Sequence, residues 1–272
     1  GFRPSDDSCR YGYLIPSNMF AVVVLNYLKE IADFVGGKEE IAKKAEEMAK
    51  TVKQAIETYG TTHIWGLGDV YAYEVDGFGQ YNLMDDANVP SLLAMSYLGY
   101  EPESQEVADN TRKLILSEAN PFYYAGTKLS GIGSPHTPVR YVWHISKAIE
   151  GLTAPTKEEK HQMIHELMAT DGGTGLMHEG VFVDDPTVYT REWFSWANAM
   201  FCELVLDGEQ RFQITGLLHH RVQALLLQLQ AFQAGLHIHI SAGHILGGFL
   251  LAYQVAGAAG ALQKDAVLLC RD

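Results

Sequence analysis

The sequence predicts an all-α fold of paired helices, read as a helical toroid interrupted by a short β-hairpin. Three observations carry this. Apolar residues recur at three- and four-residue intervals, the helices come in pairs, and short connections alternate with long loops rich in Gly and aromatic residues. In a toroid those long loops gather at one end and build a pocket. An ordinary helical bundle is the alternative.

The first helix is expected from Ser17 to Val35, with Ser17 or Asn18 as its cap and Phe20, Val23, Val24, Tyr27 and Ile31 near helical spacing; Gly36-Gly37 stops it. From Lys38 to Tyr59, Ile41, Ala45, Met48, Val52 and Ile56 recur among Lys and Glu, the pattern of a surface helix with one buried stripe. Between Ile64 and Leu83, Val70, Tyr71, Tyr73 and Val75 mix with Gly66, Gly68, Gly77 and Gly79, which suits a hairpin or a structured loop. Helix is expected again from Ala87 to Leu98 and from Ser104 to Glu118.

Asn120 to Pro138 reads as a loop, followed by helices over Tyr141–Leu152 and Thr156–Thr170, the second capped by Thr156 with Glu159 completing a capping box. Asp171 to Pro186 is a Gly-rich loop, and Thr187 to Leu206 an aromatic helix holding Trp193, Phe194, Trp196 and Phe201. Beyond residue 206 the composition breaks. Residues 207–272 hold only four of the 33 acidic residues but five of the 11 histidines, and residues 236–263 carry no charge. That stretch is long enough to cross a bilayer, yet its His, Gln and Gly content makes it a poor spanning helix, so a non-native extension is the favoured reading. The opening Gly1-Phe2-Arg3-Pro4 has no initiator Met and no secretory leader pattern, which points to truncation.

With 272 residues, 47% of them hydrophobic, the chain can bury a large core. Its net charge of −13 argues against nucleic acid, whose binding draws on clustered Lys and Arg. Cys9, Cys202 and Cys270 form neither a disulfide framework nor a CxxC site. Reduced thiols are the default, which favours a cytoplasmic setting.

The chemistry is concentrated in carboxylates. Arg3-Pro4-Ser5-Asp6-Asp7 and Asp85-Asp86-Ala87-Asn88 each place an acidic pair before an expected helix, where the helix field can tune a pKa or where one Asp can simply act as a cap. In Asp171-Gly172-Gly173-Thr174-Gly175-Leu176-Met177-His178-Glu179, the glycines let backbone approach a ligand, and Glu179 is a candidate base. Trp65, Tyr71, Tyr81, Phe122, Tyr123, Tyr124, Trp143, Trp193 and Trp196 can stack on sugar faces or fill a core. His161 and His165 stand one helical turn apart, but the zincin Glu and a third ligand are missing, so no metal site is expected. Serine-hydrolase, NTPase and dinucleotide motifs are absent.

Six segments together, Phe2–Asp7, Leu14–Val22, Met84–Leu93, Gly131–His136, Met177–Glu179 and Trp193–Asn198, closely resemble glycoside hydrolase family 125. The resemblance covers residues 1 to about 206, about the C-terminal half of that family's catalytic domain. It implies a partial (α/α)6 barrel lacking its N-terminal half. It also implies exo-α-1,6-mannosidase activity with inversion, an α-1,6-linked mannoside as substrate, no cofactor, no metal, and neither nucleic acid nor membrane as partner. By the same resemblance Asp6 is the general acid, with Asp7 as fallback, and Glu179 the general base, with Glu192 as competitor. Asp7, Asp85, Asp86, Asn88, His136 and His178 fall on the substrate, and Arg3 on Asp6 or Asp7. A glucoamylase- or trehalase-like hydrolase, or an inactive fragment, is the alternative.

Overall fold

The computed structural model describes residues 8–209. The expectations for Arg3, Asp6, Asp7 and Cys270, and for the uncharged stretch 236–263, lie outside the described residues. Within them six helices alternate with ten short strands, so the fold is mixed α/β and the all-α expectation is corrected.

Strand β1 (Tyr13–Leu14) leads directly into α1 (Ile15–Val35). Pro16 sits in the first turn, where its missing N–H breaks no helical bond, and the chain stops at Gly36, whose φ of 72° is left-handed. Ser17 and Asn18 are therefore inside the helix and do not cap it; the Asn18 amide donates to the Leu14 carbonyl at 2.7 Å. Helix α2 (Glu39–Tyr59) folds back on α1. Its buried stripe is Ala42, Ala45, Ala49 and Ile56, with small side chains that let the two helices approach closely. Ile41 and Met48, expected inside, are exposed.

The first expected stripe is displaced as well. Met19, Val22 and Val23 are buried, whereas Phe20, Val24, Tyr27, Leu28 and Ile31 are exposed, and Phe34 is 93% exposed. Helix α1 thus has two apolar faces, and the described residues cover one.

Four strands follow. β2 (Thr61–Ile64) and β3 (Gly68–Tyr71) form a hairpin, and β4 (Glu74–Val75) lies between β1 and β5 (Tyr81–Asn82) in a three-stranded antiparallel sheet. The helix expected over Ala87–Leu98 is instead a run of turns. Pro90 follows a cis Val89–Pro90 bond and supplies no N–H to a helical ladder. Helix α3 (Gln105–Ile115) keeps its expected start, with the Ser104 hydroxyl accepting from Val107 N–H.

The loop expected over Asn120–Pro138 holds a hairpin of β6 (Tyr123–Ala125) and β7 (Ser130–Ile132). The helix expected from Tyr141 begins three residues later, because β8 (Tyr141–Trp143) pairs with β9 (Gly180–Phe182); only then does α4 (His144–Leu152) start. Helix α5 (Lys157–Ala169) is capped as expected, the Thr156 hydroxyl accepting from Glu159 N–H at 3.2 Å. β10 (Tyr189–Thr190) completes the second three-stranded sheet against β9 and displaces the start of the last helix, so α6 spans Ser195–Glu209. The composition break at 207 therefore falls inside a helix, where Asp207 pairs with Lys160 of α5.

Two large cores result. One joins α1 and α2 to the first sheet and the turns over residues 92–100. The other packs α4, α5 and α6 around Trp143, Met177, Phe194, Phe201 and Leu204, and takes in Ala87 from the loop after β5. No described helix is long and apolar enough to cross a membrane.

Candidate active site

The carboxylate-bearing loops meet where the second core closes. The Ala87 N–H donates to the Gly133 carbonyl at 3.0 Å, and the Gly133 N–H donates to the Phe122 carbonyl at 2.8 Å, so the loops after β5 and β7 are stitched together. Gly133 is required there, since a Cβ would run into the Tyr141 carbonyl oxygen. Beyond it the His136 ring meets the Trp143 ring edge-on at 6.3 Å. Trp143 is buried, donates to the Thr137 hydroxyl, and lies opposite Gly180 in the β8–β9 ladder. One step along the chain from Gly180 is Glu179. A chain of contacts thus runs from the loop bearing Asp86 and Asn88 through Gly133 and the His136–Trp143 ring pair to Gly180, the neighbour of Glu179.

Glu179 is 5% exposed and meets the guanidinium of Arg191, Nε to Oε1 at 3.3 Å. Arg191 adopts a left-handed φ of 45°, an uncommon conformation for a non-glycine residue, and its guanidinium carbon lies 5.9 Å from the centre of the Phe194 ring. The turn that bends the chain at Arg191 thus aims a counter-charge at the candidate base. Glu192 is exposed, and its carbonyl accepts from His178. Of the two competing bases, Glu179 is the buried one.

Two expectations for substrate contact are corrected. Asp85 is fully buried, and its two oxygens accept from Leu92 N–H at 2.8 Å and Leu93 N–H at 2.9 Å, so it caps the turns that Pro90 prevents from being helical. Burial pushes its carboxyl up to about 7 against the pull of those N–H donors, with the neighbouring Asp86 charge adding to the rise. His178 is also fully buried. Its Nδ1 lies 2.6 Å from the Glu192 carbonyl, its Nε2 3.0 Å from the Asp171 carbonyl, and its ring stacks on Tyr189 at 3.8 Å. Each side chain is fully buried and bonded to backbone. Both hold the loops that carry their neighbours.

The Gly-rich loop is likewise internally organised. The Asp171 carboxylate accepts from Gly173 and Gly175 N–H at 2.8 and 3.1 Å, and Gly172, Gly173 and Gly175 all adopt left-handed φ. Those glycines let the chain wrap its own aspartate, so the backbone approach expected for a ligand is used within the protein.

Sequence reasoning missed Arg191, His144 and Asn198. Asn198 stands in the quoted Trp193–Asn198 segment, but its partner Met177 is 21 residues away, and nothing in the local pattern couples them. Near the segment 8–11, buried Glu74 accepts from Arg10 and Tyr11 N–H at 2.9 Å, which anchors the chain next to the Asp6–Asp7 motif. Among the candidate stacking aromatics Trp65, Trp193 and Trp196 retain open ring surface; Tyr71 and Trp143 are core. No cluster of three or more His, Cys, Asp or Glu able to hold a metal occurs among the described residues.

Residues 1–206 match the profile of a family described as metal-independent α-mannosidase, glycoside hydrolase family 125. The meiotically up-regulated gene 157 protein of Schizosaccharomyces pombe is 45% identical over 211 residues, which cover 77% of this chain and 41% of that protein. A Streptococcus pneumoniae structure from a study of metal-independent α-mannosidases, a non-productive complex with α-1,6-mannobiose, is 52% identical with a TM-score of 0.73; the match covers 76% of this chain and 49% of that one. The chain spans less than half the length of these relatives.

Proposed function

The chain belongs to glycoside hydrolase family 125, and from that premise we propose that it supplies the general-base side of an inverting exo-α-1,6-mannosidase that needs no metal or cofactor. The observation that carries the proposal is Glu179: a buried carboxylate paired with Arg191, next in the chain to Gly180, which lies opposite the Trp143 that the His136 ring meets. Glu179 deprotonates a water that attacks the anomeric carbon, while Asp6 protonates the departing glycosidic oxygen from the opposite face. An inverting pair needs its carboxyl groups about 6.5–9.5 Å apart to admit that water. Asp86, Asn88 and His136 hydrogen-bond the mannose hydroxyls, Arg3 holds Asp6 or Asp7, and Trp193 or Trp196 offers an aromatic face to a sugar ring. In this reading residues 1–206 are part of an (α/α)6 catalytic barrel and 207–272 are a separate extension.

The S. pneumoniae relative's complex with α-1,6-mannobiose supports the choice of substrate. The test is release of mannose from α-1,6-mannobiose, set beside maltose and trehalose. Mannose release with β-mannose appearing first by proton NMR is the expected result. Activity only on maltose or trehalose, or initial α-mannose, would overturn it.

A further inference from the structure

The segment Met177-His178-Glu179 is held by two buried side chains that no substrate contact explains. Asn198, 2% exposed on α6, accepts from Met177 N–H through Oδ1 at 3.2 Å and donates through Nδ2 to the Met177 carbonyl at 3.0 Å and the Phe194 carbonyl at 2.8 Å. One amide thus reads both polar groups of a single peptide residue, the fork geometry that fixes orientation as well as position. The next residue is held from α4: His178 N–H donates to Nδ1 of His144 at 3.0 Å, and His144 Nε2 lies 3.2 Å from the Thr170 hydroxyl. With Nδ1 accepting, the neutral tautomer places its proton on Nε2, facing Thr170. Phe194 N–H donates a second bond to the Met177 carbonyl at 3.2 Å.

We propose that His144 and Asn198 are positioning residues that fix the backbone on both sides of the Met177–His178 peptide and thereby set where the Glu179 carboxylate stands. The proposal rests on Glu179 being the base. Two helices of the second core, α4 and α6, grip consecutive residues of a loop that has no regular structure before Gly180. The grip needs His144 to remain an acceptor. Burial, with the neighbouring His178 and Lys147, pushes its imidazole down to about 3, so it stays uncharged across the neutral range. Lys147, one turn along α4, does not compete for it, because its ammonium is engaged by Glu150 at 2.8 Å and Glu166 at 2.9 Å.

The experiment compares the full chain with His144→Phe, His144→Asn, Asn198→Ala and Glu179→Gln, by amide hydrogen exchange and by hydrolysis of α-1,6-mannobiose. An Asn oxygen lies close to where imidazole Nδ1 stands, so His144→Asn keeps an acceptor for His178 N–H and His144→Phe does not. In His144→Phe and Asn198→Ala we expect exchange at residues 177–180 to rise about tenfold while α1 and α2 exchange as in the parent. Turnover falls by about 10²-fold with KM held within about threefold, as for a misplaced catalytic group. His144→Asn restores both readouts. If Asn198→Ala loses protection throughout the chain, the His144 pair carries the comparison. Parental exchange at 177–180 in His144→Phe overturns the proposal at any level of turnover. So does parental kcat in the loosened variants when Glu179→Gln is inactive. Parental kcat in Glu179→Gln removes the base assignment itself, an outcome distinct from both.

Discussion

The α4–α6 unit and the α1–α2 hairpin use their apolar and polar residues in opposite ways. In the first, Phe201, Leu204, Met177 and Trp143 are enclosed, and the same interior holds His144, Lys147, His178 and Asn198, each with hydrogen-bonding or ionic partners. In the second, the helix contact is made largely of alanines, and a stripe from Phe20 to Phe34 faces outward, uncovered by the described residues. Burying polar groups is costly unless each is paired, so a core that does it is organised for more than stability. An apolar stripe left outside contributes little to folding of the described residues. The difference separates a unit whose interior holds the candidate base's loop from a unit whose second face stands open among the described residues.

Glu179→Gln should break the comparison most sharply, lowering mannose release by about 10²–10⁴-fold, the usual contribution of a general base, with an unchanged melting curve. The same assay on Phe34→Ser should read as parent. Next in size is the packing contrast. Denaturant unfolding should show Phe201→Ala losing about 3–5 kcal/mol, the cost of an aromatic-sized cavity in a closed core.

The third effect is a pair of opposed pH slopes. His144 has a folded pKa lowered from 6.5 to about 3, so the unfolded state takes up its proton first; the stability it contributes is present above 6.5 and lost as pH falls toward 3. Asp85 has a folded pKa raised from 3.8 to about 7, so its contribution is present below 3.8 and lost as pH rises through 7. Each amounts to a few kcal/mol at most, and between about pH 4 and 6.5 they offset one another. Urea titrations across that window should be nearly flat for the parent. Asp85→Asn should expose the acid-side loss, and His144→Asn the loss toward neutral pH. The smallest effect sharpens the comparison from the other side. Phe34→Ala should change stability by no more than about 0.5 kcal/mol, and a larger loss would mean that the stripe is covered.

The family was legible because its motifs come in short ordered runs. Met84–Leu93, Gly131–His136 and Met177–Glu179 pointed to one family without knowledge of distances. What those runs could not show was which member of each run faces inward. Asp85 and Asp86 look alike in sequence, yet one caps a turn. His178 and Glu179 are neighbours, yet the histidine ring lies against two backbone carbonyls, Asp171 of its own loop and Glu192 beyond β10. The strands outside the expected hairpin region were missed for a related reason. Eight of the ten are only two or three residues long, too short to show a clear period-two pattern, and β8 and β10 exist because each pairs with β9.

The sequence by itself determined the kinship, the carboxylates on offer, the starts of α3 and α5 through Ser104 and Thr156, and the long apolar periodicity of α1 and α2. Those properties rest on side chains acting within a turn or two of their own position. Only the tertiary structure decided which stripe of α1 is buried, that Pro90 converts a helix into turns capped by Asp85, and that Arg191, His144 and Asn198 stand around Glu179. Hydrogen bonds between residues tens of positions apart leave no periodic trace along the chain, because their geometry is set by how the helices pack.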